Sequence, residues 1–342
     1  MNRKIYLSLL GDINNPLEWS GTGYYCLENF KKIRNNIQGI SLKTDSLKYK
    51  LQRINWNLYQ RLLKKSSGGF QYSEVSLNSL WKKQEKKLKK SIIINFFPLF
   101  PNYINNDKSI SKYFYIDFTI NQLFKDYGSP KRMSENYRNL ILNKEKDGYK
   151  KSKHIFTHSD YTKEDLIKFY NLNERKITTI VPGANFPSEF KFKKYKNEKG
   201  SQALELLFIG KDLYRKGLDR LLEAIYICNK NFNMCNLHIV GNKLNVDKRF
   251  KKYEKMNNIF QYGFLDKNKD IKKFAYLFNI CDLGILLSRA EAGGMSLREF
   301  AFAGLPTIST SVGGMANHIN HASAIIITNK KNNEIINTLV KK

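Results

Sequence analysis

Two glutamates, Glu291 and Glu299, stand eight positions apart in the segment SRAEAGGMSLREFAFAGLP, which runs from Ser288 to Pro306. The spacing predicts one carboxylate in a loop and the other within the first turns of the following helix, where both can face a ligand held over a sheet edge. Gly293 and Gly294 let the backbone approach such a ligand closely, and the helix start at Met295 adds a partial positive charge suited to phosphate. A glutamate pair at this spacing also fits a solvated helix face or a cap. The glycines and the helix start beside it favour the ligand. No metal chemistry is expected. The chain has no Asp-x-Asp pair, and Cys26, Cys228, Cys235 and Cys281 are scattered without Cys-x-x-Cys spacing, which reads as reduced thiols used as small core residues.

The elements that must position these groups follow from hydrophobic spacing. In the first half, a short apolar strand at 4–10 leads into a glycine-bearing turn at 11–23 and a helix at 24–33. A helix around 51–63 carries Leu51, Ile54, Leu58 and Leu62 at helical intervals, and another is predicted over 76–90 with Leu77, Leu80, Trp81 and Leu88. Strands are predicted at 91–97, 154–159 and 177–181, with a helix after the second whose capping signal is Thr162 followed by Asp165. Pro182, Pro187 and the Lys-rich run at 191–200 predict a linker. Alternation then restarts, with strands at 204–209, 236–240, 283–287, 307–309 and 324–327 and helices at 217–228, 271–278 and 296–303. A chain of 342 residues exceeds what one core usually serves. The expected architecture is α/β: a domain over 1–187, a linker over 188–200 and a domain over 201–342, each Rossmann-like.

Composition excludes several classes. Hydrophobic residues make up 42% of the chain, including 22 Phe and 20 Tyr, too many for a disordered tail protein. The longest apolar patch, at 92–100, is far shorter than a membrane span needs, and the start of the chain lacks a signal-peptide core, so a cytoplasmic location is expected. The net charge of +29 attracts polyanions. Yet 47 of the 59 basic residues are Lys, and 33 basic against 16 acidic residues precede Pro187 while 26 against 14 follow it. With Arg scarce and no separate basic tail, nucleic acid is not expected as a partner. Lys82, Lys83, Lys86, Lys87, Lys89 and Lys90 give the helix over 76–90 an interfacial look, so peripheral contact with an anionic membrane is expected beside the alternative of a sheet-covering helix with a solvated face.

Beyond these readings, the segment from Ser288 to Pro306 resembles the signature of retaining GT-B glycosyltransferases of the family 4, or group 1, type. Other stretches are similar to the same family: GKDLYRKG (210–217) to its phosphate loop, LHIVGN (237–242) and YGFLDKN (262–268) to the strand and loop beside the nucleotide base, and STSVGG (309–314) to the turn after the signature. WSGTGYY (19–25) resembles its N-terminal glycine loop, and YIDFTINQLF (115–124) and the stretch at 158–185 resemble parts of its first domain. The chain departs from the pattern at Gly293, where an aromatic residue is usual, and at Ala316 and Asn317, where Pro-Glu is usual.

The resemblance implies an interdomain cleft holding a nucleotide-sugar. Glu299 would accept from the ribose hydroxyls, and Glu291 would hold hydroxyls of the donor sugar. Lys211 and Lys216, with Arg215, would face the diphosphate. Backbone groups of Gly293, Gly294, Met295, Gly21 and Gly23 would complete the cradle, Gly263 and Phe264 would lie beside the base, and Asp117 would orient the acceptor or stabilise charge at the anomeric carbon. The implied activity is metal-independent, retaining transfer of a hexosyl type from a UDP-, GDP- or other nucleoside-diphosphate-sugar to a cell-surface glycan or lipid-linked acceptor, with no cofactor. Two alternatives stay open: an epimerase of the same fold, and a non-catalytic basic protein that binds membrane or nucleic acid.

Overall fold

The computed structural model describes residues 3–187, 190, 192, 203–232, 234–319, 323–328 and 331–341. The chain divides between Pro182 and Gly183 into two compact units. The first is built on strands β1 (Ile5–Leu10), β2 (Ile37–Leu42), β3 (Ile92–Asn95), β4 (Ser111–Ile116), β5 (His154–Thr157) and β6 (Ile177–Thr179), in the order β2-β1-β3-β4-β5-β6. The second is built on β7 (Leu204–Gly210), β8 (Cys235–Gly241), β9 (Ile259–Gly263), β10 (Leu283–Leu286), β11 (Thr307–Thr310) and β12 (Ala324–Ile327), in the order β12-β11-β10-β7-β8-β9. Every pairing in both sheets is parallel. Parallel neighbours need helical crossovers, and these bury the strands from both sides, as the buried interiors of β1, β8 and β11 show. Two doubly wound α/β units are therefore present, as the alternation predicts. Among the described residues, no helix is long and apolar enough to cross a membrane.

In the second unit the chain leaves β7 toward β8 and β9, then returns to the far side of β7 with β10, β11 and β12. The strand order reverses between β7 and β10. Loops that leave the carboxyl ends of these two strands diverge, one going to each side of the sheet, and open a crevice there. GKDLYRKG follows β7 and SRAEAGG follows β10, so topology brings to one place segments more than seventy residues apart.

Several local expectations need correction. Residues 183–187 belong to the second unit, not the first, because the ring of Phe186 is buried among Phe274, Phe278 and Phe302. The linker over 188–200 lies outside the described residues except for Phe190 and Phe192, and Phe192 packs on that same aromatic cluster. The helix after β5 is Asp160–Lys168, and its cap is Ser159, whose hydroxyl accepts from the Thr162 amide, rather than Thr162 itself. Strands β2 and β4 and the helix Glu135–Lys151 were not legible from spacing.

The Lys-rich segment also differs. Instead of one helix over 76–90, there is a helix Glu74–Trp81, a tighter turn Lys82–Gln84 and a single turn Glu85–Leu88. Leu77, Trp81 and Leu88 are fully buried and Leu80 nearly so, while the six lysines point to solvent. The apolar side of this segment is thus core packing under a solvated face, and it offers no apolar surface to a bilayer. The reverse holds for the helix Leu47–Lys64, whose Leu51, Ile54, Leu58 and Leu62 face outward.

Candidate active site

Around the carboxyl ends of β7 and β10, the two loops are tied together chiefly by arginines. Arg215 donates from Nη1 to the Ala290 carbonyl at 2.7 Å, and the Arg289 amide donates to the Arg215 carbonyl at 2.7 Å. The Arg289 guanidinium grips both oxygens of Asp219 at 2.7 Å, and Arg220 donates to the Leu287 carbonyl at 2.9 Å. Such bidentate and charge-assisted bonds hold the loops in register before any ligand arrives.

This frame positions Glu291. Its Oε2 accepts from Arg215 Nη1 at 3.1 Å, Lys216 Nζ at 3.2 Å and Ser288 Oγ at 3.3 Å. Burial by itself would raise the carboxyl's pKa, but the charges of Lys216 and Arg215 outweigh it, and the group is held below the usual carboxylate range. All three donors share one oxygen. Oε1 accepts from no group among the described residues and retains solvent access. An ionised carboxylate with one oxygen anchored and the other open is suited to accept a hydroxyl from a bound polyol. Beneath it, Gly313 adopts a φ of +57°, and its Cα lies against the Glu291 carbonyl so closely that a Cβ would overlap that oxygen.

Glu299 sits in the helix Met295–Phe302 and is 1% exposed. Its Oε1 pairs with Lys267, and its Oε2 has no hydrogen-bond partner among the described residues. Lys267 also lies 5.4 Å from the centre of the Phe186 ring. Gly294 precedes the helix in the left-handed region with a φ of +65°, and Met295 opens it with no side chain capping its first amides. Lys211 takes a different position from Lys216. Its ammonium lies 4.3 Å above the exposed ring of Phe264, next to Gly263, and has no acidic partner among the described residues. Lys211 also helps to line an open groove of about 360 Å³ with Tyr214, Asn242 and Asp247.

One residue that spacing did not single out faces the Glu291 loop. A Cβ on Gly293 would overlap Nε2 of His318, so the imidazole fills the room that a side chain at position 293 would take. His318 is 8% exposed, and neither ring nitrogen has a partner among the described residues. Burial, reinforced by the nearby Arg298 charge, lowers its pKa to about 3, so the ring is neutral and offers one donor and one acceptor. The signal for it lay in the departures at Gly293 and at Ala316 and Asn317, one at the glycine itself and the other just before the histidine. Lys267 lies within YGFLDKN, but nothing local in that stretch shows that it meets Glu299.

The first unit holds the remaining sequence-selected residues. Trp19 and Ser20 take left-handed conformations (φ +50° and +55°), unfavourable for residues with a side chain, and Gly21 follows at +87° as the residue before the helix Thr22–Ile33. Strain of this kind concentrates at ligand-binding turns. Gly23 lies inside the helix, where a Cβ would stand 3.0 Å from Leu9 Cδ2, so its small size serves helix-to-strand packing. Asp117 follows β4, with its Oδ1 accepting from the Phe118 amide at 2.9 Å and its carbonyl accepting from Thr162 at 2.5 Å. No group of three or more potential metal-ligating side chains occurs among the described residues.

Comparison with known proteins bears on the fold and on what the second unit is similar to. Residues 189–342 match the family described as Glycosyl transferases group 1. The chain is 26% identical over 201 residues to the lipopolysaccharide glucosyltransferase WaaG of Escherichia coli K12, covering 56% of this chain and 53% of that protein. An uncharacterized 41.2 kDa protein of the Klebsiella pneumoniae cps region is 26% identical over 164 residues, covering 46% of this chain and 43% of that one. The chain thus spans about half the length of the curated relatives it matches. Among solved structures, that of WaaG superposes with a TM-score of 0.70 at 17% identity, covering 98% of this chain and 90% of the other. The Anabaena protein HepE, solved with UDP and glucose, superposes with a TM-score of 0.61 at 13% identity, covering 99% and 89%. Residues 189–342 are thus similar to the group 1 glycosyl transferases, and the two Rossmann-like units share the GT-B fold of these solved structures.

Proposed function

We propose that the protein moves a sugar from a nucleoside-diphosphate-sugar to a cell-surface glycan or lipid-linked acceptor, with retention of configuration and without a metal. The observation that carries this reading is the convergence of Arg215 and Lys216 on a single oxygen of Glu291 at the strand-order reversal. Two cations stand where a diphosphate would need them, and the other carboxylate oxygen is open to a sugar hydroxyl. Similarity to a lipopolysaccharide glucosyltransferase and to a protein solved with UDP and glucose supports the donor and acceptor classes.

In this reading the donor's diphosphate draws Lys216 and Arg215, backed by the N-terminus of the helix Leu218–Phe232. As the bond from the anomeric carbon to phosphate oxygen breaks, negative charge grows on the leaving group. Cations placed in advance then stabilise the transition state more than the ground state. The acceptor oxygen bonds to the anomeric carbon on the face the phosphate leaves, and its proton passes to the departing phosphate oxygen. Glu291 Oε1 orients the sugar, with neutral His318 as a further hydrogen-bonding group from the side of Gly293. Glu299 and Lys267 hold the ribose end, and Lys211 and Phe264 stand near the base. Metal independence rests on the cation pair and on the lack of any Asp-x-Asp in the chain.

The test is a calorimetric screen of UDP, GDP and ADP, followed by transfer and hydrolysis assays with the sugars activated by the nucleotide that binds. Saturable binding of one nucleoside diphosphate, lost in Lys216→Ala and Glu299→Ala, supports the reading. No binding of any, or full activity in both variants, refutes the site.

A further inference from the structure

The four cysteines are scattered in sequence, but the second unit brings two of them together. Cys228 lies in the helix Leu218–Phe232, and Cys235 opens β8. Their thiols share a hydrogen bond, with Cys235 donating to the Cys228 sulfur. Around them the backbone of Cys235 is fixed by side chains. Asn229 accepts from its amide at 2.8 Å and donates to its carbonyl at 2.6 Å, and Asn258 donates to the same carbonyl at 2.8 Å. Because Asn229 directly follows Cys228, this clamp holds the helix and the strand start in the register that keeps the two sulfurs together. Both residues are free thiols and only half-buried, unlike Cys281 in the core. Cys235 also lines an open groove of about 520 Å³ with Tyr226, Lys230 and Met256, so small molecules reach the pair from solvent.

Two adjoining thiols beside an open groove can exchange their hydrogens for a bond to each other. The geometry of a disulfide is narrow, with sulfurs about 2.05 Å apart, and side chains already in contact reach it without a backbone shift. We propose that Cys228 and Cys235 form a reversible oxidation site that takes hydrogen peroxide as its oxidant and ends as an intramolecular disulfide. Burial raises both thiols, Cys235 to about 11, while the bond donated by Cys235 favours the thiolate of Cys228, which therefore attacks first. Its sulfur bonds to one peroxide oxygen as the O–O bond breaks, leaving a sulfenic acid and a hydroxide that takes the Cys228 proton to become water. The Cys235 sulfur then bonds to the Cys228 sulfur as the S–O bond breaks, and the second hydroxide leaves as water with the Cys235 proton. Two electrons pass from the sulfurs to the peroxide. A dithiol reverses the change by exchange, whereas a thiol without a neighbour goes on to sulfinic acid, which a dithiol does not reduce. Cys235 stands at the amino end of β8, six residues and about 20 Å along the strand from Gly241, so the site is separate from the crevice and does not depend on the transferase reading.

A peptide map of the oxidised full chain tests it. Trypsin cuts after Lys230, between the two cysteines, so the peptides 221–230 and 231–243 separate unless a disulfide joins them. The folded wild type is exposed briefly to hydrogen peroxide, quenched, and its remaining thiols are blocked in denaturant. In most chains the two peptides are expected to stay joined, two hydrogens lighter than their sum, while Cys26 and Cys281 are recovered as blocked thiols. Dithiothreitol before blocking should release both peptides. Cys235→Ser, with its fold checked by circular dichroism, should show a sulfenic acid on Cys228 that dimedone traps. That variant should also accumulate at least about threefold more sulfinic acid than the wild type, beyond rescue by dithiothreitol. Separate peptides from the oxidised wild type, whether their cysteines are intact or over-oxidised, overturn the proposal. So do a bond to Cys26 or Cys281, a bond between two chains seen as a dimer on a non-reducing gel, or equal sulfinic acid in variant and wild type.

Discussion

Replacing Lys216 by Met isolates the charge that the proposed transfer would use. Met keeps an unbranched apolar side chain of similar reach, so the contact of the Lys216 stem with Gly210 survives while the ammonium is removed. In the unliganded protein the loss is one bond of 3.2 Å to Glu291 Oε2, and Arg215 at 3.1 Å still neutralises that carboxylate. A charge-assisted bond is worth roughly 1.5–3 kcal/mol, and the surviving guanidinium puts the stability loss at the lower end, about 1–2 kcal/mol. The kinetic loss should be larger. In the proposed reaction the ammonium meets a diphosphate whose charge increases as the bond breaks, and removing one such preorganised donor slows catalysis about 10²-fold, or near 2.7 kcal/mol. Nucleoside-diphosphate release from the matching donor sugar gives kcat and KM, and calorimetry with the nucleoside diphosphate gives Kd. The expected pattern is a fall in kcat that exceeds the rise in KM, because the interaction strengthens in the transition state. Glu291→Gln should weaken folding more than Lys216→Met does, since it leaves two cations facing each other without their carboxylate. Changing both residues should give a coupling of about 1–3 kcal/mol in stability, because they touch. If Lys216→Met turns over donor within about threefold of wild type, Lys216 does not face the leaving group and the argument from the cation pair is wrong.

Other consequences can be checked separately. Gly293→Ala should lower the melting temperature through overlap with His318, a loss of about 1–3 kcal/mol, and adding His318→Ala should restore most of it. Equal losses in both backgrounds would show that the two residues are independent. Lys267→Ala strands the buried Glu299 carboxylate and should weaken nucleoside-diphosphate binding about tenfold or more, read by calorimetry, with little change in the kcat that remains at saturation. In the first unit, burial outweighs the Tyr149, Tyr170 and Ile120 donors and raises the Glu145 carboxyl from 4.5 to about 8. The folded protein then holds a proton that the unfolded chain releases, so this contribution to stability is complete below about pH 4.5 and is lost as pH rises toward 8. Glu145→Gln should flatten the decline in melting temperature between these limits. A wild-type profile that rises over the same range would refute the assignment.

The residues that converge on the crevice were largely legible in the chain, but their partnerships were not. Glu291, Glu299, Lys211, Arg215 and Lys216 could be selected because glycines and a helix start surround them, and such local features need only neighbours in sequence. That Arg215 and Lys216 close on Glu291 follows from β7 lying beside β10, and adjacency of strands is a property of the sheet. The pairing of Lys267 with Glu299 had no local sign for the same reason, and that of His318 with the space at Gly293 was marked only by the departures at Gly293, Ala316 and Asn317.

Hydrophobic spacing marked most of the strands and helices, though not β2, β4 or the helix Glu135–Lys151, because a period of 3.6 or 2 places apolar side chains on one face whatever lies opposite. It could not determine which way that face turns. The segment over 76–90 and the helix Leu47–Lys64 both combine apolar periodicity with lysines. Yet Trp81 and Leu88 are buried, whereas Leu51, Ile54 and Leu58 are exposed. Only the tertiary structure decided this, because Tyr49 and Trp56 found aromatic partners on Phe70 and Tyr137, and a helix anchored by one face must present the other to its surroundings.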